Sequence, residues 1–179
     1  MSNNELIAFI KKCSIDSANL PIRIENKQVL QSSLSLFINR TKKQLEITLF
    51  FIEEETNELF ESLNSDNIIR NINEFLNQKD TKIAIISNRS KLIKSSYFYK
   101  NIPNKKPKVH SIPEKLEARI NNYSYIISDN IGIIVGRFNY SETVDEKQSF
   151  VNFNDEKAAS IMSTNFSKLV DLSLSGAQM

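Results

Sequence analysis

Tryptophan is absent from the sequence, cysteine and histidine occur once each, and glycine and proline are scarce, at 3 and 4 of 179 residues. Each shortage excludes something. A lone Cys13 cannot form an internal disulfide, so the chain is no cysteine-stapled secreted scaffold. One histidine, His110, and one cysteine far from it lack the ligand spacing that zinc needs, and neither a metal nor another cofactor is expected. So few Gly and Pro leave no linker defined by composition. No glycine-rich phosphate loop, dinucleotide fingerprint or nucleophile elbow is present. Apolar runs such as Ile131 to Val135 fall far short of the roughly 20 residues that cross a bilayer, so no membrane span is expected. The apolar stretch from Leu6 to Ile10 precedes Lys11 and Lys12 instead of following a basic segment, unlike a secretory signal. A cytoplasmic setting is the expectation.

Hydrophobic residues make up 40% and charged residues 25% of the chain, the proportions of a globular domain able to bury a core. One domain over 26–179 is expected, preceded by an N-terminal helical extension over 1–25. A net charge of +2 says little about partners, whereas its distribution says more. From Thr81 to Pro113 there is no acid, and Lys82, Arg89, Lys91, Lys94, Lys100, Lys105, Lys106 and Lys108 fall there. Glu53, Glu54, Glu55, Glu58, Glu61 and Asp66 crowd the stretch before it. Three adjacent glutamates could hold a hard cation, but a solvated acidic turn is the simpler reading.

Leu30, Leu34, Phe37 and Ile38 recur at helical spacing, so a helix starts near Asn26. Gln44 to Ile52 alternates and then turns apolar on both faces, the pattern of a strand entering a buried sheet. Ile68, Ile69, Ile72, Phe75 and Leu76 make a second helical stripe, with Asp66 placed to cap it. Strands follow at Lys82 to Ser87 and Lys108 to Ile112. Tyr123 to Ser128 and Ile131 to Val135, separated by Asp129 and Asn130, read as a hairpin, because Asp and Asn tolerate left-handed turns. Ser149 to Phe153 is a last strand, and Asn154 or Asp155 caps a final amphipathic helix. This order predicts an α/β fold: a mixed, mostly parallel sheet with helices on both faces.

The hairpin also carries a pattern. Counting from Asp129, Gly136 and Asn139 stand where the phospholipase D superfamily motif (His, any residue, Lys, four residues, Asp, six residues, Gly, Ser or Thr, any residue, Asn) has its Gly and Asn. Asn122, Ser124 and Arg137 stand in the His, Lys and Ser places. The helix, strand and hairpin order from about Asn26 to Asp171 resembles a single lobe of that superfamily, with a degenerate motif. The resemblance implies a frame in which one His attacks phosphorus, a second protonates the leaving group and Lys neutralises phosphate oxygens. Asn122 is neither nucleophile nor acid near neutral pH, Ser124 carries no charge, and Arg137 alone is a poor substitute. No catalytic residue is therefore expected, and His110 reads as a packed strand histidine. The resemblance also implies pairing, as a homodimer or with another such lobe, along a surface near Tyr123, Tyr125, Arg137 and Phe138.

Three functional readings follow. The first is a non-catalytic module that binds a protein partner or a phosphate-bearing ligand. The second is a phosphodiesterase or nuclease with an atypical residue set, and the third a structural subunit completing a site on another chain. Tyr97, Phe98 and Tyr99 lie among Arg89, Lys91, Lys94, Lys100, Lys105 and Lys106. Lysines that neutralise phosphates and rings that stack on unpaired bases suit single-stranded nucleic acid. They also suit a solvated loop in which Phe98 anchors a helix.

Overall fold

The computed structural model describes residues 2–52, 56–103, 105–117, 123–138 and 149–176. Helix α1 (Asn3–Ile15) opens with a Ser2–Glu5 capping box and packs on α2 (Lys27–Arg40), which Asn26 caps. Between them, β1 (Ile22–Arg23) pairs with the last strand. The N-terminal stretch thus buries Leu6, Ile10 and Cys13 in the main core.

The chain then runs through β2 (Gln44–Leu49), α3 (Glu58–Leu63), α4 (Asp66–Leu76), β3 (Lys82–Ser87), α5 (Ser90–Ser95), α6 (Tyr97–Lys100) and β4 (Lys108–Ser111). It continues through α7 (Glu114–Glu117), β5 (Ser124–Ser128), β6 (Gly132–Gly136), β7 (Phe150–Asn152) and α8 (Glu156–Gly176). Ser65 precedes α4, so Asp66 begins that helix and does not cap it. Asp155 caps α8 through the Ala158 amide, at 3.0 Å.

Among the described residues seven strands form one sheet, in the order β1-β7-β6-β5-β2-β3-β4. Helical crossovers make β2, β3 and β4 mutually parallel, as expected. The rest is antiparallel: β5 lies against β2, and β6 and β7 follow by direct reversal. The sheet is therefore mixed but not mostly parallel. Apolar faces on both sides mark a strand covered by helices, and they carry no sign of its direction.

Leu45, Ile47, Leu49, Ile83, Ile85, Ile126, Ile134 and Val151 face α1, α2 and α4 in the main core. Alternate positions point the other way. Phe50, Ile86, Ile127 and Ile133 meet Ala159 and Phe166 of α8, the long helix on the second face. Among the described residues no helix is long and apolar enough to cross a membrane.

Candidate functional site at the carboxyl ends of the parallel strands

In open α/β sheets ligands gather beyond the carboxyl ends of the parallel strands. Here that edge carries Phe50 and Phe51 after β2, Asn88 and Arg89 after β3, the start of β5 and the end of β6. Asn122 and Asn139 lie outside the described residues. Ser124, in the motif's Lys place, is 1% exposed and faces the main core. Its hydroxyl oxygen accepts the Phe50 amide and the Asn57 side-chain amide, each at 3.0 Å. Asn57 also donates to the Phe50 carbonyl at 2.9 Å and caps α3 by accepting the Phe60 amide at 3.1 Å. Sequence reasoning passed over Asn57, whose only signal was a capping residue before an apolar run. Asn88 repeats the device, bracketing the Phe51 amide and carbonyl at 3.0 and 2.8 Å. The edge beside β2 is thus closed by Ser and Asn hydrogen bonds to backbone.

Asp129 lies at the opposite end of β5. With Asn130 it forms the hairpin turn, both with positive φ (51° and 58°), as the Asp-Asn pair predicted. Its carboxylate accepts the amides of Lys42, Lys43 and Gln44 at 2.7, 2.9 and 2.8 Å, tying the turn to the start of β2. Gly136 pairs with Ser124 across the hairpin, and a Cβ there would lie 2.1 Å from the Ser149 hydroxyl. Arg137 is exposed, with its guanidinium carbon 5.3 Å from the Tyr123 ring centre. Phe138, expected near a pairing surface, is instead buried in the main core. Tyr125 is half-buried under α8, and burial pushes its hydroxyl pKa up.

His110 stands on β4, an edge strand three inter-strand steps from β5, or about 14 Å. Burial first, then the charges of Lys108 and Lys94, hold its pKa below the ordinary imidazole value, which favours the neutral form. Among the described residues no cluster of His, Cys, Asp and Glu could hold a metal ion. Glu53, Glu54 and Glu55 lie outside the described residues.

The structure divides the basic segment. Phe98 is fully buried, the anchor of α6. Tyr97 is exposed, but its hydroxyl donates to Asp66 at 3.0 Å, so an acid distant in sequence stands beside it. The Lys106 ammonium lies 5.1 Å from the Tyr99 ring centre and donates to the Tyr99 and Lys100 carbonyls. Lys105 donates to the Gln78 carbonyl at 3.0 Å. Arg89 lies 5.9 Å from the Phe51 ring centre. Lys91, Lys94, Lys100 and Lys108 are exposed and make no ion pair with any described residue. Of these, Lys94 and Lys108 are close enough to act on His110 along the β4 edge.

No protein-family model matches the sequence, and no curated protein does. Solved structures match in shape. NucT from Helicobacter pylori gives a TM-score of 0.55 at 15% identity, over 86% of this chain and 96% of its own. TrmBL2, an archaeal chromatin protein whose structure shows a novel mode of DNA binding, gives 0.54 at 11% identity, over 92% of this chain and 55% of its own. Nuc from Salmonella typhimurium, a phospholipase D family member, gives 0.48 at 12% identity, over 76% of this chain and 83% of its own. At such identities the likeness is one of fold. The chain has an α/β fold like that of NucT, with a mixed sheet of seven strands between helices among the described residues.

Proposed function

We propose that this chain is a non-catalytic phospholipase D-like module that holds a phosphate-bearing ligand, and that the ligand is nucleic acid. One observation carries the first half. The Ser124 hydroxyl, where the motif has its cation, is buried and engaged by the Phe50 amide and the Asn57 amide. Phosphoryl transfer needs a nucleophile, a proton donor and positive charge around the phosphate. An asparagine amide supplies none of these. With Asn122 in the nucleophile's place, only Arg137 of the degenerate motif carries positive charge.

The second half rests on Lys91, Lys94 and Lys108, cations on α5 and β4 without an acid partner among the described residues. The likeness to TrmBL2 supports this choice of ligand. Tyr97 and Tyr99 are not assigned as stacking platforms, because Asp66 and Lys106 already engage them. The reading includes a cytoplasmic setting and pairing, with a second copy or another such lobe, over the sheet face beside α8. There Tyr123, Tyr125, Val135 and Phe150 are half-buried and Arg137 is exposed.

Two assays test it. Purified protein should not turn over bis(p-nitrophenyl) phosphate or a labelled oligonucleotide, and turnover abolished by His110→Ala would overturn the non-catalytic reading. A fluorescein-labelled single strand should raise its anisotropy with protein at low salt, and Lys91→Glu with Lys94→Glu should weaken that binding without changing the melting temperature. Absence of binding at low ionic strength would remove nucleic acid as the ligand.

A further inference from the structure

A cavity of about 310 Å³ opens at the end of the sheet opposite Ser124, between the α2 terminus, the Asp129 turn and the loop from β7 into α8. Its walls join two kinds of surface. Phe37 and Phe153, 2% and 3% exposed, close its floor as part of the main core, and Ile131, 41% exposed, stands at the mouth. Arg40 and Lys42 supply charge.

Arg40 is the informative residue. Its guanidinium is half-buried, lies 5.4 Å from the Phe153 ring centre, and donates to the Ser14 carbonyl and the Ser17 hydroxyl. Those bonds use two of its five N–H donors. They fix the group's direction without neutralising its charge. Neither Arg40 nor Lys42 forms an ion pair with any described residue. The Asp129 carboxylate in the same wall is already engaged by three backbone amides. Glu156 lines the cavity too and, like Lys42, is exposed, so water screens both charges and the half-buried Arg40 dominates the site. A fixed, partly desolvated guanidinium with spare donors, beside Lys42 and the exposed Ile131, matches an anionic head on a small apolar body.

We propose that this cavity binds a small organic anion, a carboxylate or a phosphate monoester, with the anionic group on Arg40 and Lys42 and its apolar part against Ile131 at the mouth. The site is separate from the nucleic-acid edge, so neither reading depends on the other.

The test is an amide-resolved NMR titration of the full chain with benzoate, phenyl phosphate and benzyl alcohol. Benzoate or phenyl phosphate should shift the Ser17, Gly132 and Asn154 amides saturably, their relative affinities naming the head group, while neutral benzyl alcohol should not. Lys42→Glu replaces an exposed cation, and Ile131→Glu places a carboxylate at the mouth. Each should weaken binding by about tenfold, the loss of one charge-assisted contact, at unchanged melting temperature. Arg40→Gln should weaken it further, and if that variant does not fold the other two still decide. Three results would each overturn the proposal: no saturable shift from either anion, equal binding of benzyl alcohol, or shifts confined to Arg89 and Arg137.

Discussion

At the scale of single residues, Asp129 and Gly136 work as fasteners. Asp129 accepts three backbone amides from one turn of chain, so one carboxylate aligns the hairpin with the first residues of β2. Asp129→Asn keeps the shape but turns one oxygen into a donor that faces donors. The expected loss is about 1 kcal/mol, because the exposed Lys42 amide then faces a donor while Lys43 and Gln44 keep their acceptor, and urea unfolding measures it. Gly136→Ala tests a different constraint. The added methyl would meet the Ser149 hydroxyl, Cβ and Cα at 2.1, 2.5 and 2.6 Å, and the last of these is backbone that cannot rotate away. Displacing the start of β7 should cost about 1 to 3 kcal/mol, as overpacking does. An alanine variant as stable as the parent would show that β7 moves freely there.

Among the elements, α8 packs over a half-buried titratable group. It covers the second sheet face, where Glu46 is half-buried and its Oε2 has no hydrogen-bond partner. Burial raises the Glu46 pKa above its ordinary 4.5, against smaller opposing effects of Ser163 and Lys82. A raised acid pKa means that the folded state binds the proton more tightly than the unfolded chain. The resulting stability is present below pH 4.5 and is lost as pH rises through the folded-state value. Glu46→Gln should therefore flatten the stability curve above pH 4.5 and raise neutral stability, by less than about 1 kcal/mol since the group is only partly shielded from water. Thermal melts of both proteins across pH check the direction. A variant less stable at neutral pH would mean that the carboxylate is better accommodated than its surroundings indicate.

The same elements show what a sequence can and cannot reveal. Helix α2 and strands β2, β3, β5 and β6 were legible because periodicity reports burial, and burial is what folding selects. The antiparallel placement of β5 against β2 was not, since it depends on contacts between residues far apart in sequence, such as Ile47 with Ile126. Ser124 was legible as a substitution, and its fate was not: nothing near it in sequence announces Asn57, its buried partner. The basic segment misled for a related reason. Acid-free in sequence, it meets Asp66 in space, and two of its lysines are committed to carbonyls.

For the whole molecule, that division of the lysines makes the nucleic-acid reading quantitative. Each neutralised phosphate on a single strand lowers the logarithm of the binding constant by about 0.7 per decade of salt. Lys91, Lys94 and Lys108 contribute full charges to solvent, so if all three meet phosphates the slope should be about −2. Reversing them together to glutamate should abolish most of that slope. Lys105 and Lys106 are exposed as well, yet their ammonium groups are held by the Gln78, Tyr99 and Lys100 carbonyls. Engaging a phosphate would require giving up those bonds, so Lys105→Gln with Lys106→Gln should change the slope by less than one contact. Since lysines on phosphate position a strand without reading its bases, the first set should weaken all sequences alike. Anisotropy titrations at four salt concentrations, with two unrelated oligonucleotides, separate the outcomes. A slope that falls as much with the glutamine pair as with the triple reversal would move the binding edge from β4 to the α6 loop.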